Sequence, residues 1–330
     1  MWMGKAPGKV ILFGEHAVVY GRPAIAVPVN GVEARVTVRP GEQGSGIWLE
    51  CCDLPATDRS KGGCHYPLRE APAGDPLRVA ILLGLTHLGI APSLEPDLVI
   101  TISSTIPIAR GLGSGAAVTT AIMRALAAYF NRPLSPEETS QLVYEVEKLF
   151  HGTPSGIDNT VIAYEQPVYF VRGEPVELLE VGKPFSMVIA DTGVSSITRQ
   201  VVGEVHQRWQ LERTRYEGLF DAIAAVVRAA REAILKGEWR ALGPLMNENQ
   251  ALLEELDVSS PELDRLLTTA RSAGALGAKL SGAGRGGFMI ALVEQESIMP
   301  VTEALRQAGA AQVLSTRVLS PSTPVAPEGN

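Results

Sequence analysis

Residues 106–117 have the sequence IPIARGLGSGAA and lie between a β-branched segment, LVITIS at 98–103, and an alanine-rich segment that ends before Asn131. This order predicts a strand, a glycine-rich turn and a helix. Glycine permits positive φ angles, so the N–H groups of the turn and the N-terminus of the helix can surround an anion. A triphosphate fits such a turn, with Ser114 donating to a phosphate or coordinating Mg²⁺.

The glycine pattern is not specific by itself. It matches neither G-x-x-x-x-G-K-[ST] nor a strand-linked G-x-G-x-x-G, so neither a Walker loop nor a dinucleotide site is predicted. The same glycines are equally typical of a tight turn that enters a buried helix. Arg110, beside the turn, either pairs with a phosphate or lies in solvent. The turn alone therefore leaves both interpretations open.

The composition limits the classes of protein to consider. The chain has 330 residues, 45% of them hydrophobic and 20% charged, and this length predicts two closely joined domains. The formal net charge of −7 argues against nucleic-acid or membrane partners, because an acidic protein gains no counterion-release energy from them. Three cysteines are too few for a disulfide framework, and no apolar run reaches the ~18–20 residues of a membrane span. We therefore expect a soluble, cytoplasmic protein without a signal peptide.

Around the turn, the hydrophobic pattern predicts mixed strands and helices. Ser135 and Glu138 form a capping-box signal for a helix that continues to about residue 150. Its predicted apolar stripe comprises Leu142, Val146, Leu149 and Phe150. Strands are predicted at 9–13, 33–39, 98–103, 161–171 (as a pair), 185–190, 277–280, 286–293 and 312–318, and further helices at 77–88, 116–130, 198–235, 238–256, 261–273 and 298–308. Residues 41–76 are predicted to be irregular, and the uneven alternation favours an α+β fold.

Glu147, Asp158 and Lys9 are the charged residues that suit phosphoryl transfer. That reaction requires Mg²⁺ held by oxygen ligands, a positioned alcohol and positive charge near the transferred group. Glu147 is a candidate metal ligand, and Asp158 can accept the proton of the alcohol. Lys9 can pair with Asp158 or stabilise developing charge.

Each of these residues also has a structural interpretation. Glu147 lies in a helix with other acidic residues and is compatible with a solvated face. Asp158 lies between glycines and a proline, in a predicted rigid loop where it can cap or turn the chain. Lys9 can be a surface lysine before a strand. Composition and spacing alone do not join the three residues into one site.

Several segments together indicate a known family. They are KAPGKVILFGEHAVVYG at 5–21, PIARGLGSGAA at 107–117, HGTPSGIDN at 151–159, DTG at 191–193 and KLSGAGRGG at 279–287. In this order, over nearly the whole chain, they resemble the motifs of the GHMP family of small-molecule kinases. The segment at 151–159 is most similar to the branch that phosphorylates mevalonate. The resemblance therefore implies ATP-dependent phosphorylation of the primary hydroxyl of mevalonate, which gives 5-phosphomevalonate and ADP.

The resemblance also implies roles for single residues. Asp158 would be the catalytic aspartate and Lys9 its partner, and Glu147, eleven positions before Asp158, would bind Mg²⁺ together with Ser114. The implied ATP-binding residues are Pro107, Arg110, Gly111, Leu112, Gly113, Ser114, Gly115 and Ala116. The implied substrate-binding residues are Glu15, His16, Ser155 and Thr192.

The implied fold is α+β with two domains. The N-terminal domain at 1–184 would resemble ribosomal protein S5 domain 2 and carry the ATP-binding loop and the catalytic segment. The domain at 185–319 would be ferredoxin-like, and residues 320–330 would form a disordered tail. Members of the family are often dimers, so a homodimer is expected.

Three positions depart from the family pattern. Gly115 stands where the phosphate loop usually has a second serine, so Ser114 or water would complete the metal shell. Arg285 stands where a glycine is usual, and Arg110 is unusual just before the loop; both are candidates for additional phosphate contacts. The alternatives to mevalonate are phosphomevalonate, a sugar or homoserine as the substrate, a related ATP-dependent decarboxylase, or a non-catalytic sensor of nucleotide and metabolite.

Overall fold

The computed structural model describes residues 1–52, 65–91, 96–107, 111–151 and 154–319. The chain forms two compact units, one from residues 1–9 and 30–165 and the other from residues 10–29 and the chain from 166 onwards. Strands β1 (Trp2–Phe13) and β2 (Ala24–Pro40) each begin in one unit and end in the other. The prediction that one boundary, after residue 184, separates two domains stays a prediction. The predicted disordered tail lies outside the described residues.

The first unit combines a sheet with four helices in the part of the chain that the structure describes. Its strands β3 (Ile47–Cys51), β4 (His65–Pro67) and β5 (Leu98–Ser104) follow the order β4-β3-β5-β2, in which β3 and β5 run parallel and the other pairs antiparallel. Strand β1 also pairs with β2. The helices are α1 (Pro76–His87), α2 (Ser114–Tyr129), α3 (Pro136–His151) and α4 (Ile157–Tyr164), and α2, α3 and α4 pack against one another.

Helix α3 begins as the sequence predicts. The Glu138 N–H donates to the Ser135 hydroxyl at 3.1 Å, and the Glu138 carboxylate accepts from the Ser135 N–H at 2.8 Å, which completes the capping box. Leu142 and Val146 are buried as predicted. The prediction for Leu149 is wrong, because this side chain lies in the last turn and is 50% exposed.

Two other local predictions are wrong in the first unit. Residues 161–164 were predicted to start a strand pair but belong to α4, where Ile157, Val161 and Ile162 are buried at helical spacing. Their β-branched composition favours strands only weakly, and packing on the neighbouring helices prevails. Residues 41–76 were predicted to be irregular, yet they contain β3 and β4. These two strands pair antiparallel, with Trp48 opposite Pro67 and Glu50 opposite His65.

The second unit contains a four-stranded antiparallel sheet. Its strands β8 (Phe185–Asp191), β9 (Gly277–Ser281), β10 (Phe288–Val293) and β11 (Gln312–Val318) have the order β11-β8-β10-β9. Helices α5 (Thr198–Leu211), α6 (Arg213–Lys236), α7 (Leu242–Glu255) and α8 (Pro261–Ser272) separate β8 from β9, and α9 (Ile298–Gln307) separates β10 from β11. This β-α-β-β-α-β order and sheet arrangement agree with the predicted ferredoxin-like domain.

The short strands β6 (Val168–Phe170) and β7 (Glu177–Leu178) also belong to the second unit, where β6 pairs with residues 24–26 of β2. The helices and strands predicted after residue 184 are present within four residues of their predicted ends, and the helical stretch predicted at 198–235 is divided into α5 and α6. Among the helices of the described ranges, none has the length and apolar composition that a membrane span requires.

Candidate active site

Lys9 and Asp158 form an ion pair in the first unit. Nζ of Lys9 lies 2.9 Å from Oδ1 of Asp158. The lysine side chain is only 3% exposed and the aspartate 31%, so the carboxylate remains accessible above a buried cation. Asp158 lies in the first turn of α4, after Gly156 in the left-handed conformation, rather than in the predicted loop. The positive end of the helix dipole stabilises a carboxylate at this position.

The glycine-rich turn lies directly against Lys9. The Lys9 N–H donates to the Leu112 carbonyl at 3.0 Å. Gly113 has a φ of 74°, and a Cβ there would lie 3.0 Å from Cγ of Lys9 and 2.9 Å from Cδ1 of Ile162. A side chain at residue 113 would therefore displace the lysine. Ser114 follows as the first residue of α2, so the turn, the helix N-terminus and the ion pair are neighbours.

Glu147 lies on the buried face of α3 and is 4% exposed. Burial and, to a smaller extent, the charge of Asp158 raise the pKa of this carboxyl to about 7, against the opposing effect of Lys9. These influences require Asp158 and Lys9 to be near Glu147. The interpretation of Glu147 as a solvated helix residue is therefore wrong.

Buried hydrogen bonds fix α4 against α3. The side-chain amide of Asn159 donates to the carbonyl and the hydroxyl of Ser140, at 3.1 and 2.9 Å. The Thr160 hydroxyl lies 3.4 Å from the Ser140 hydroxyl and also donates to the Gly156 carbonyl at the start of α4, at 2.7 Å. Because Asn159 adjoins Asp158, these bonds hold the aspartate relative to the helix that carries Glu147. Asn159 was not among the predicted site residues, although its position beside Asp158 in the 151–159 motif was a signal.

The donor atoms in this unit suit a magnesium ion that binds with a nucleotide. Mg²⁺ in such sites takes one or two carboxylates and completes its shell with phosphates and water. Glu147 offers a buried carboxyl whose pKa of about 7 a nearby cation would lower, and Ser114 offers a hydroxyl at a helix N-terminus. Within the described ranges, no group of three or more His, Cys, Asp or Glu side chains could hold a metal. The residues therefore suit a metal ion that they share with nucleotide phosphates and water, and not one bound by protein ligands alone.

In the second unit, Glu15 and Lys279 form a fully buried ion pair. Their side chains are both 0% exposed, and the lysine ammonium also donates to the Leu280 carbonyl at 2.6 Å. Burial lowers the pKa of Lys279, while the charge of Glu15 acts in the opposite direction. Lys279 begins the motif at 279–287, but no feature of the sequence indicated that it pairs with Glu15.

His16 is buried and neutral. Its Nε2 lies 2.9 Å from the Ala283 carbonyl, and because a carbonyl can only accept, Nε2 carries the proton and Nδ1 is an acceptor. The pKa of His16 is lowered to about 4, mainly by burial, with the bond to Ala283 opposing this effect and the charge of Arg208 adding to it. The backbone of His16 also has a φ of 60°, which residues other than glycine rarely adopt.

The remaining predicted residues occupy defined places, with one exception. In the second unit, Thr192 follows β8 and donates from its N–H and its hydroxyl to the Gly287 carbonyl, each at 2.9 Å. In the first unit, Ser155 lies just before α4, and its hydroxyl accepts from the Ile157 N–H at 3.4 Å. Pro107 precedes the turn and is half-buried. Arg110 lies outside the described residues.

Known families and structures match this chain over most of its length. The family model for the GHMP kinases N terminal domain matches residues 77–166, and that for the GHMP kinases C terminal matches residues 230–311. A mevalonate kinase of Pyrococcus horikoshii is 36% identical over 96% of this chain and 95% of its own length. One of Aeropyrum pernix is 38% identical over 89% of each. The crystal structure of L. major mevalonate kinase in complex with R-mevalonate has a TM-score of 0.82 at 32% identity, over 98% of this chain and 97% of that one.

Proposed function

Because this chain belongs to the GHMP kinase family, alongside the mevalonate kinases, we propose that it transfers the γ-phosphoryl group of ATP to the primary hydroxyl of mevalonate. The products are 5-phosphomevalonate and ADP. The predicted family, the two-domain α+β fold and the phosphotransferase class are confirmed by these relatives. The observation that carries the proposal is the Lys9–Asp158 ion pair beside the glycine-rich turn.

The turn and α2 bind the phosphates of ATP in this mechanism. Glycines at residues 111, 113 and 115 allow the backbone N–H groups to approach phosphate oxygens, and the N-terminus of α2 adds partial positive charge. Pro107, Arg110, Leu112 and Ala116 complete the proposed nucleotide contacts. Because the chain is acidic, this local positive potential, rather than a basic surface, holds the anion.

Asp158 and Lys9 act on the alcohol. Asp158 is exposed enough to accept a hydrogen bond from the primary hydroxyl and to take its proton as oxygen attacks the γ-phosphorus in line. Lys9 holds the carboxylate in place and supplies positive charge next to the reacting oxygens. When bound, Mg²⁺ held by Glu147 and Ser114 neutralises charge on the phosphate oxygens.

We assign mevalonate contacts to His16, Ser155 and Thr192, whereas Glu15, predicted as a fourth contact, is fully buried against Lys279 and is assigned none. A neutral His16 offers Nδ1 as an acceptor, which suits a substrate hydroxyl, whereas a protonated imidazole would not accept. The L. major relative was solved in complex with R-mevalonate, which supports the same substrate here. The cytoplasmic location, the homodimer, and the absence of nucleic-acid and membrane partners stay predictions.

A substrate panel tests the proposal directly. ADP formation would be measured with R-mevalonate, phosphomevalonate, galactose and homoserine at equal concentrations, with and without Mg²⁺. We expect turnover that depends on mevalonate and on the metal. Comparable or faster turnover with another alcohol would replace mevalonate by that substrate, and nucleotide binding without any turnover would favour a sensor.

The variant Asp158→Asn separates catalysis from nucleotide binding. It keeps the shape of the side chain but removes the proton acceptor, so kcat should fall by about 10²- to 10⁴-fold. Binding of ATP, measured by calorimetry, should change little, because the proposed phosphate contacts come from the turn. Near-normal turnover of the variant would refute the role of Asp158.

A further inference from the structure

One turn in the second unit holds both His16 and Thr192 through its backbone carbonyls. The Ala283 carbonyl accepts from Nε2 of His16 at 2.9 Å. The Gly287 carbonyl accepts from the N–H and the hydroxyl of Thr192, each at 2.9 Å. A shift of residues 283–287 would therefore move both side chains together.

Close backbone contacts enclose this turn on two sides. Gly284, with a φ of 84°, would place a Cβ 2.0 Å from the Val258 carbonyl oxygen. Gly286, with a φ of 133°, would place one 2.7 Å from the Val194 carbonyl oxygen. Side chains are excluded at both positions, so the turn depends on glycine where it meets these neighbours.

Arg285 lies between these two glycines in the left-handed conformation, with a φ of 56°. This backbone conformation is energetically unfavourable for residues with a Cβ, whereas glycine adopts it readily. Its N–H donates to the Val258 carbonyl at 2.8 Å, a bond that glycine could make equally well. What arginine adds at this position is therefore its side chain.

The guanidinium of Arg285 reaches two other elements of the same unit. Its Nη2 donates to the carbonyl and the carboxylate of Asp257, at 3.0 and 2.8 Å, and lies 3.5 Å from the Glu204 carboxylate. Arg208 donates to the same Asp257 carboxylate at 2.8 Å and to the Leu256 carbonyl at 3.1 Å. The turn is thereby tied to α5 and to the connection between α7 and α8.

We propose that Arg285 is a positioning residue for the substrate contacts: its bonds to Asp257 and Glu204 hold the turn that keeps His16 and Thr192 in place. The inference rests on the proposed function, because that function makes these two residues substrate contacts. It assigns Arg285 no bond to ATP, since its guanidinium is engaged by the two carboxylates and the Asp257 carbonyl.

Steady-state kinetics of Arg285→Gly test the proposal. Glycine fits the φ angle without strain, so the variant removes the side-chain tether without a backbone clash, although it also frees the backbone at this position. We expect KM for mevalonate to rise by about tenfold while kcat and KM for ATP stay within about twofold, as for a loss of uniform substrate binding. The KM for mevalonate of Arg285→Lys should lie between the values of wild type and Arg285→Gly, because an ammonium lacks the planar fork of donors.

A double-mutant cycle identifies the partner. Asp257 itself has a φ of 58°, so Asp257→Gly removes its carboxylate without backbone strain. It should raise KM for mevalonate by less than Arg285→Gly does, because the carbonyl of residue 257 and Glu204 still hold the Arg285 guanidinium, and its effect should be smaller in the Arg285→Gly background. Arg240→Ala serves as the control, because this exposed arginine also pairs with a carboxylate, Glu294, at 2.7 Å, and should leave both KM values unchanged.

Two results would overturn the tether. One is a rise in KM for ATP without one for mevalonate, which would indicate a nucleotide contact; the other is an unchanged KM for mevalonate. Amide hydrogen exchange of residues 283–287 gives a readout independent of turnover. Faster exchange in Asp257→Gly, which leaves the sequence of the turn unchanged, supports the tether, and unchanged exchange in that variant contradicts it. A wild-type protein that forms no ADP with mevalonate overturns the proposed function instead.

Discussion

Glu147 shows how the surroundings of one carboxyl group alter its chemistry. It is an ordinary glutamate in the sequence, but burial and the charge of Asp158 raise its pKa from an ordinary value of 4.5 to about 7, against the effect of Lys9. A group with a raised pKa retains its proton in the folded state at a pH where the unfolded chain has released it. Its contribution to folding free energy therefore depends on pH.

The variant Glu147→Gln should remove this dependence. In wild type without metal, the group's contribution to the free energy of unfolding is fully present below about pH 4.5 and is lost as pH rises through 7. The loss amounts to about 3 kcal/mol. We therefore expect the variant to be more stable than wild type at pH 8 in chelator and similar at pH 5, as measured by urea unfolding.

The control for this prediction lies on the same helix. Glu145 is exposed and pairs with Lys148, so Glu145→Gln makes the same chemical change outside the buried cluster. It should alter stability by less than about 1 kcal/mol at either pH. A stability difference between Glu147→Gln and wild type that stays constant from pH 5 to pH 8 would contradict the account.

At the scale of elements, the site in the first unit forms where β1, the glycine-rich turn and α4 meet. Lys9 belongs to β1, Ile162 belongs to α4, and Gly113 precedes α2 between them. Atoms of both side chains lie within 3.1 Å of where a Cβ on Gly113 would be. The geometry of the turn and the position of the lysine are thus determined together.

The variant Gly113→Ala tests this arrangement. Its left-handed φ and the crowding should cost about 1–3 kcal/mol of stability. Displacement of Lys9 should lower kcat by about ten- to a hundredfold. Thermal unfolding and turnover with mevalonate check the two effects.

Gly218→Ala is the matched control for that substitution. Gly218 lies inside α6 with open space around it, so alanine should raise stability there by about 0.5–1 kcal/mol. Turnover should be unaffected. If Gly113→Ala behaved like Gly218→Ala, the close packing of the turn on Lys9 would be excluded.

At the scale of the whole molecule, the pair of Glu15 and Lys279 joins residues 264 positions apart in the chain. Neither charge is accessible to water. Removal of one partner from a buried ion pair leaves the other charge without compensation, whereas removal of both can be nearly neutral. The pair therefore makes the N-terminal motif depend on a strand near the end of the chain.

Lys279→Met should destabilise the protein by about 3–5 kcal/mol, and the double variant Glu15→Gln/Lys279→Met should recover part of this loss. The midpoint and slope of urea-induced unfolding measure both. For comparison, Arg240→Ala breaks an exposed pair and should cost less than about 1 kcal/mol. A double variant that is less stable than Lys279→Met would show that the pair itself is not the cause.

Local patterns predicted much of the fold. The capping box of α3 and the helix at 76–87 follow from residues close together in sequence, whose periodicity and end signals act locally. The ferredoxin-like strand order was implied by the family resemblance and not by any local pattern. The errors arose where packing prevailed over composition, as in α4, or where pairing came from distant strands, as in β3 and β4.

The sequence by itself determined the family, the order of the motifs and which residue types could serve phosphoryl transfer. Only the tertiary structure decided which of those residues are buried and paired. Lys9 forms an ion pair with Asp158, Glu147 is buried, and Arg285 donates a hydrogen bond to Asp257, each through contacts between residues distant in the chain. The physical reason is that desolvation and charge pairing depend on neighbours in space, which no local pattern specifies.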